Sequence, residues 1–516
     1  MSVRRTAASV TGMISPRFLA ILPLLAVTAF AATTDWPQWR GLNRDGVSAE
    51  SGLLKEWPAE GPKLAWETKG IGKGMGSVAI HGGKIFVLGQ RKGGQFIVAF
   101  DLATQRELWA ASVSENGDEP TGTPTVDGGQ VFAVSKDGKL LCCAEADGKE
   151  LWRKDFAPDF GGKMMSGWGF SESPLVDGEK VIVIPGADAA VMVALDRKTG
   201  AVLWKAALPP NVGTHGQEGA GYTGAVISNA AGIRQYVTLI GRGVIGVSAK
   251  DGKTLWHYNR VANGTANIPT PLVWDDYVFC SSGYGTGAGL LKIVKSPADT
   301  KASPANDAAK VEELKKKLAD LNAEIAQRRD ARGKLKKGTP EYETADKAVQ
   351  SLKPDIDKAQ QALNAASGNA GEKVEIPPVP GSPVRAEEQY FLNASTFQNH
   401  HGGMVRIGDH IYAGTGHNNG FPICLEWKTG KVVWNKERGP GKESAAVIAA
   451  DGCLYFRYQD GTMALIDASP AGYKERGVFK LPHVDGPSWP HPAIYDGKLY
   501  LRSQDVLMCY DVRAGK

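Results

Sequence analysis

Histidine, carboxylate and indole side chains set the limits of what this chain can do chemically. Six of the nine histidines, His215, His400, His401, His417, His483 and His491, fall in or beside stretches rich in Gly, Asn and Pro, which read as loops. Neutral imidazole is a common metal ligand, and two or three such rings from separate segments can converge on one ion. Glu172, Glu218 and Asn267 add oxygen donors, Lys442 adds a cation, and Trp168 and Trp489 add flat apolar faces. No catalytic template emerges from the spacing: the chain has no His-Glu-x-x-His pair, no Gly-x-Ser-x-Gly elbow and no phosphate-cradling Gly-x-x-x-x-Gly-Lys loop. Loop histidines that only hydrogen-bond, a small-molecule site and a metal site all stay open.

Whatever these groups do, a repeat positions them. A phrase of an acidic or small residue, a turn and a closing Trp recurs as Asp101…Trp109, Glu145…Trp152, Asp196…Trp204, Ala249…Trp256 and Glu426…Trp434. Trp66, Trp109, Trp152, Trp204 and Trp256 stand 43, 43, 52 and 52 residues apart. In phase with them run hairpins of apolar strands about Gly or Asp turns: 127–129, 177–178, 230–232, 275–276, 408–409, 451–452 and 496–497, after a first at 82–83. A period of roughly 40–50 residues with four short strands per unit marks a β-propeller. Eight hairpins predict eight blades in an all-β ring. The last unit, Val506–Asp511, is one strand short, and Lys63–Thr68 is a strand without a hairpin. Closing the eighth blade with both chain ends removes an open sheet edge. Blade 7 has no closing Trp in sequence.

Sixty-three Gly and thirteen Trp suit this architecture, since Gly supplies turns and Trp packs between sheets. Arg4, Arg5 and Arg17, the apolar run Phe18–Val27 and Ala29-Phe-Ala31 describe a cleavable secretory leader. Without those three arginines the net charge of +5 falls to +2, so nucleic acid is not an expected partner. The apolar run is too short for a transmembrane segment, and no Cys follows the leader for a lipid anchor. A periodic steps-of-three-and-four seam, Val311, Leu314, Leu318, Leu321 and Ile325, is answered after Gly338-Thr339-Pro340 by Ala345, Val349, Leu352, Ile356, Ala359 and Leu363. This predicts an antiparallel α-helical coiled-coil hairpin inserted in blade 5, with a kink at Pro354. It is either a tolerated insertion or an arm that docks a partner or a second copy. The expected organisation is a signal peptide over 1–31, an N-terminal extension over 32–62, blades 1–5 with the closing strand 63–68 over 63–297, the hairpin and its Pro-rich return over 298–385, and blades 5–8 over 386–516.

The phrase Ala194-Leu-Asp196-Arg-Lys-Thr199-Gly200-Ala-Val-Leu-Trp204 resembles the repeat of quinoprotein (PQQ-like) propellers, a superfamily with PQQ-dependent alcohol dehydrogenases and the outer-membrane-assembly lipoprotein. Asp35-Trp-Pro-Gln-Trp-Arg-Gly-Leu-Asn-Arg-Asp-Gly46, Trp168-Gly-Phe-Ser-Glu-Ser-Pro174 and Asn399-His-His-Gly-Gly403 look like the PQQ-like repeat proteins of planctomycetes and related exported bacterial proteins. The resemblance speaks for fold; the repeat itself is architectural. The leader implies periplasmic or secreted localisation. For the dehydrogenases the resemblance implies PQQ and Ca²⁺ on the ring axis, ligands of the Glu172, Asn267 and Glu218 kind, and an adjacent Cys pair over the cofactor. Cys142-Cys143 lies within a repeat strand instead, where Cys acts as a small apolar residue.

Axial ligands of a propeller come from the innermost strand of each blade and the loop before it. Those segments hold Lys73, Glu119, Trp168 with Glu172, His215 with Glu218 and Tyr222, Asn267, Asn399 with His400 and His401, Lys442 with Glu443, and Trp489 with His491. The expected function is an exported binding or scaffold protein holding a small molecule or protein partner at this rim. The alternative is a periplasmic PQQ- and calcium-dependent alcohol or sugar dehydrogenase.

Overall fold

In the computed structural model, residues 1–2, 35–296, 308–335, 338–352, 355, 359 and 374–515 are described. The leader apart from its first two residues lies outside them. Eight sheets form the blades, each a four-stranded antiparallel meander. Blade 1 runs Ala79–His81, Lys84–Arg91, Gly94–Asp101 and Glu107–Ser114. Blades 2 to 6 repeat this plan, starting at the inner strands Thr125–Asp127, Leu175–Asp177, Val226–Ser228, Leu272–Trp274 and Met404–Ile407. Blade 7 starts at Ala445–Ala450 and blade 8 at Ala493–Tyr495. Lys63–Lys69 completes blade 8 by pairing antiparallel with Val506–Asp511, Trp66 opposite Cys509. The ring is closed by both ends of its own chain.

The recurrent phrase has a mechanical reason. Asp196 Oδ1 accepts hydrogen bonds from the backbone N–H of Lys198 (3.1 Å) and Thr199 (2.9 Å) and from Thr199 Oγ1 (2.8 Å), closing an Asx-type turn. Gly200 follows at φ +70°, and a Cβ there would stand 2.8 Å from the ring of Trp152 in the preceding blade. Gly148 receives Trp109 and Gly252 receives Trp204 in the same way. Each turn glycine is therefore the seat for a neighbour's indole. The indole N–H reaches across too, Trp109 to Glu145 O (3.1 Å) and Trp152 to Arg197 O (2.8 Å).

Two details correct the sequence alignment. Trp152 pairs with Cys142 and Trp256 with Gly246, as Trp109 pairs with Ala99 and Trp204 with Ala194. The turns start at Ala144 and Ser248, whose carbonyls accept from Gly148 and Gly252, one residue before Glu145 and Ala249. The spacing from turn start to Trp is what the geometry holds constant; the acidic residue is dispensable. The aromatic position is also filled where sequence shows no Trp. In blade 5 Tyr390 takes it, with Gly430 as its seat. In blade 7 the position is Gly477, opposite Leu465, and Trp57 from the N-terminal extension lies over it, 2.6 Å from where a Cβ would be. Trp57 N–H donates to Arg476 O (2.7 Å), and its ring packs against Phe479 and Tyr455.

The insertion leaves and rejoins blade 5 at one point: Lys295 pairs with Val384 and Ser296 N–H donates to Pro383 O (2.8 Å). Its described residues hold a 26-residue helix, Ala308–Gly333, and an 11-residue helix, Pro340–Gln350, capped by Thr339. Ile325, Val349 and Leu352 are buried together, and Arg332 pairs with Asp346 at 2.5 Å. Pro354, Ile356 and Leu363 of the expected second seam lie outside the described residues. Among the described residues no helix is long and apolar enough to cross a membrane.

Candidate functional site: an aromatic basin over a plugged axis

The axis is occupied by the chain itself. Trp36 forms a two-way backbone bridge with Ile80 of blade 1 (3.0 and 2.8 Å), and Pro37 O accepts from Val126 of blade 2 (2.8 Å). Trp39 Nε1 donates to Thr270 Oγ1 (3.1 Å) ahead of blade 5. Val47–Ser48 adds a fifth, parallel strand to the inside of blade 7. Glu50 accepts from Gly497 N–H of blade 8 (2.6 Å). Two arginines span the remaining gaps. Arg44 Nη1 donates to Ser173 O (2.9 Å) and Ala225 O (3.2 Å) before blades 3 and 4, and Nη2 to Pro174 O. Arg40 Nη1 donates to Gly402 O (2.9 Å) and Nη2 to Met404 O in blade 6, with His491 Nδ1 at 3.4 Å before blade 8. Both arginines take positive φ, 61° and 58°, a conformation costly for non-Gly residues that here sends the two guanidiniums to opposite sides of the ring. Residues 36–50 thus touch every blade.

Above this plug lies a cavity of about 350 Å³ with Trp39 among its walls. All eight blades contribute: Met75, Thr121, Trp168 with Ser171, Tyr222, Ala266 with Ile268, His400 with His401, Gln459, and Trp489 with His491, besides Tyr284 and Asn418 from hairpins. Trp168 stands edge-on to Trp489 at 6.1 Å and is 54% exposed. His401 packs on Trp489 at 4.6 Å and stacks on His400 at 3.8 Å, while Trp39 lies 4.4 Å from His491. Among the described residues no Lys, Arg, Asp or Glu lines the cavity.

The histidines are held neutral. Burial pushes His400 down to about 4 and His491 down to about 3, the latter helped by the Arg40 charge; His401 is lowered by burial and by its histidine neighbours. Hydrogen bonds assign the tautomers. Ser444 Oγ donates to Asn418 Oδ1 (2.9 Å) and so accepts from His400 Nδ1 (2.7 Å); Tyr284 OH then donates to His400 Nε2 (3.0 Å). His491 Nε2 donates to His401 O (3.1 Å) and presents Nδ1 to Arg40.

Of the fifteen residues anticipated at the rim, Trp168, Tyr222, His400, His401, Trp489 and His491 come together here. The others do not line the cavity. Glu172 is buried beneath, both oxygens accepting from Ile184 N–H (2.9 and 3.0 Å), and burial pushes its carboxyl up to about 8 against the pull of Arg44. Asn267 is fully buried, donating to Ile240 O and Gly241 O (3.0 Å each) and accepting from Asn263 N–H. Glu218 is exposed and paired with Lys163 (2.8 Å). The His215 backbone is pinned to Asn259, and Lys442 is an exposed loop residue. Trp39, Tyr284, Asn418 and Gln459 were not anticipated. The last three sit on loops between second and third strands, which rise on the same face as the loops before the inner strands.

The calcium set implied by the dehydrogenases does not fit. Glu172, Asn267 and Glu218 each spend their oxygens on other partners, and no group of three or more His, Cys, Asp or Glu is placed to hold a metal ion among the described residues. Cys142 and Cys143 are free and buried within one strand, and burial pushes the Cys143 thiol up to about 12. PQQ is a tricarboxylate, and a lining without Lys or Arg offers its charges no counter-ion.

The family model described as outer membrane protein assembly factor BamB matches residues 27–137 and 93–307, more than half of the chain. The chain belongs to this family. BamB of Burkholderia pseudomallei (strain K96243) is 30% identical over 117 residues, 21% of this chain and 27% of that protein. The match therefore spans about a quarter of that curated relative's length. Among solved structures, BamB from Moraxella catarrhalis is similar at a TM-score of 0.50 and 12% identity over 88% of this chain and 98% of that one. The quinohemoprotein alcohol dehydrogenase ADHIIG of Pseudomonas putida HK5 is similar at 0.54 and 12% over 94% and 81%. These structural likenesses, to a BamB and to an enzyme alike, establish a shared propeller fold and nothing finer for this BamB-family chain.

Proposed function

We propose that this BamB-family propeller is an exported binding or scaffold protein whose ligand or partner is held in the axial basin, and that it works in the periplasm or outside the cell. The observation that carries the reading is the uncharged aromatic and neutral-histidine lining over an axis already filled by residues 36–50. Dehydrogenation of an alcohol needs a base for the hydroxyl proton and an acceptor for the hydride. The carboxylates that sequence offered near the axis, Glu172 and Glu218, are committed elsewhere. Among the described residues the lining offers the cofactor of the second role neither a calcium ligand set nor counter-charges. Binding through rigidly mounted loops requires neither.

The helical insertion, as a coiled-coil arm, gives the same scaffold a second place to dock a partner or a second copy. The placement outside the cytoplasm rests on the leader and on the name of the relatives, outer membrane protein assembly factors.

The deciding experiment incubates the purified mature protein with PQQ and Ca²⁺, then follows the quinone absorbance and dye-linked alcohol oxidation. The expected result is no stoichiometric quinone and no turnover. Stoichiometric binding with turnover overturns the reading in favour of a quinoprotein dehydrogenase. Replacing residues 298–373 by a short linker, which keeps the Val384–Asn393 strand and its return intact, should leave a folded ring, with any self-association lost.

A further inference from the structure

We propose that the basin takes a neutral saccharide, with one sugar ring lying against Trp168. This rests on the reading of the basin as a binding site and names its ligand class.

Size comes first. A cavity of about 350 Å³ lies at the small end of ligand sites, and suits one or two rings better than a folded partner. Trp168 comes next. It belongs to no repeat position, seats on no glycine and is 54% exposed, yet Trp489 holds it edge-on at 6.1 Å. A costly exposed indole fixed over a concavity marks a recognition surface. The face of an indole carries negative charge density, which attracts the partly positive C–H groups on the flat side of a sugar ring.

Polar groups around that face are all uncharged. Trp489 Nε1 donates to Gln459 Oε1 (2.7 Å), which leaves the Gln459 amide nitrogen as a donor. Tyr284 gives its hydrogen to His400, which leaves the phenol oxygen as an acceptor. Thr121 donates to Ser171 at 2.5 Å, Ser171 in turn donates to Gly169 O (3.4 Å), and both residues line the cavity. The wall thus offers both a free donor, the Gln459 amide nitrogen, and a free acceptor, the Tyr284 oxygen, to a ring of hydroxyl groups.

Electrostatics then exclude the charged alternatives. Arg40 and Arg44 lie fully buried below the floor, without a carboxylate in contact with either guanidinium. Their charge opposes a quaternary ammonium, which an aromatic cage alone would favour. An anion finds no direct partner, because neither guanidinium lines the cavity. A neutral, hydroxyl-rich ring meets neither obstacle.

The test titrates the full mature protein with cellobiose, maltose and N,N′-diacetylchitobiose, following tryptophan fluorescence and heat. Choline chloride, citrate and PQQ serve as cationic and anionic comparators. At least one disaccharide is expected to saturate the signal. Trp168→Ala should weaken that binding by about tenfold or more, with Trp168→Phe retaining part of the affinity and both variants keeping the wild-type melting temperature. Absence of a saturable response to every saccharide overturns the proposal, as does binding that Trp168→Ala leaves unchanged. If choline, citrate or PQQ saturates the basin in a Trp168-dependent manner while saccharides stay silent, the saccharide assignment falls and the basin remains a binding site. If no probe perturbs Trp168, both fall.

Discussion

One residue type does two jobs in this molecule, and the contrast shows how to tell them apart. The tryptophans of the repeat, such as Trp109 and Trp152, are each 8% exposed, seat on a glycine of the next blade and donate their N–H to a backbone carbonyl of that blade. Those of the basin, Trp168 and Trp489, seat on no glycine and face a cavity. In the repeat, removing the ring leaves a void between two sheets. In the basin, it leaves a larger bowl. The lesson is that a tryptophan's purpose is read from what lies across from it, not from its being aromatic.

The contrast breaks most sharply at Trp152. Trp152→Ala should cost about 3–5 kcal/mol in denaturant unfolding, since the cavity cannot collapse between two rigid sheets; a loss below about 1 kcal/mol would erase the distinction. Next is the axis. Arg44→Leu removes the side-chain donor to the carbonyls of Ser173 and Ala225 and leaves Pro174 O with Thr125 Oγ1 alone, and should cost about 3 kcal/mol. Arg44→Lys should recover only part of this, because an ammonium cannot span the same fork of acceptors.

A smaller effect appears in the pH profile. Glu172 has a folded pKa raised to about 8, so the folded chain holds a proton that the unfolded chain releases near 4.5. Its contribution is fully present below that lower value and is lost as pH rises through 8. Glu172→Gln should flatten this alkaline decline in melting temperature. His400 and His491 act in the opposite sense: their lowered folded values mean that stability falls as pH drops below about 6.5. The smallest effect is expected at Trp168→Ala, within about 0.5 kcal/mol of wild type. A loss as large as that of Trp152→Ala would make Trp168 a packing residue.

The ring was legible in sequence because its anchor is local: a turn glycine, a fixed count of residues and an indole recur whatever lies between them. Where a blade departs from this, sequence falls silent. Tyr390 substitutes within its own strand, and Trp57 fills the place over Gly477 from more than four hundred residues away. The plug was seen only as a motif, Asp35–Gly46, since its partners are carbonyls scattered over eight blades with no periodicity to betray them. At the rim, residue type and loop position brought Trp168, His400, His401, Trp489 and His491 into view. The same reasoning put forward Glu172 and Asn267, because nothing in a one-dimensional pattern tells whether a side chain points toward the axis or under the next loop.

The seating of residues 36–50 has a consequence for how the protein comes into being. This stretch leaves the ribosome early, yet the strands it must join at Ala449–Ala450 and the turn it must cap at Gly497 are among the last to be made. Contacts of such long reach are slow to form. Trp36 and Pro37 meet their partners in the first two blades early, but Val47–Ser48 and Glu50 must wait for the last two sheets, so the axle is locked only when the wheel is whole.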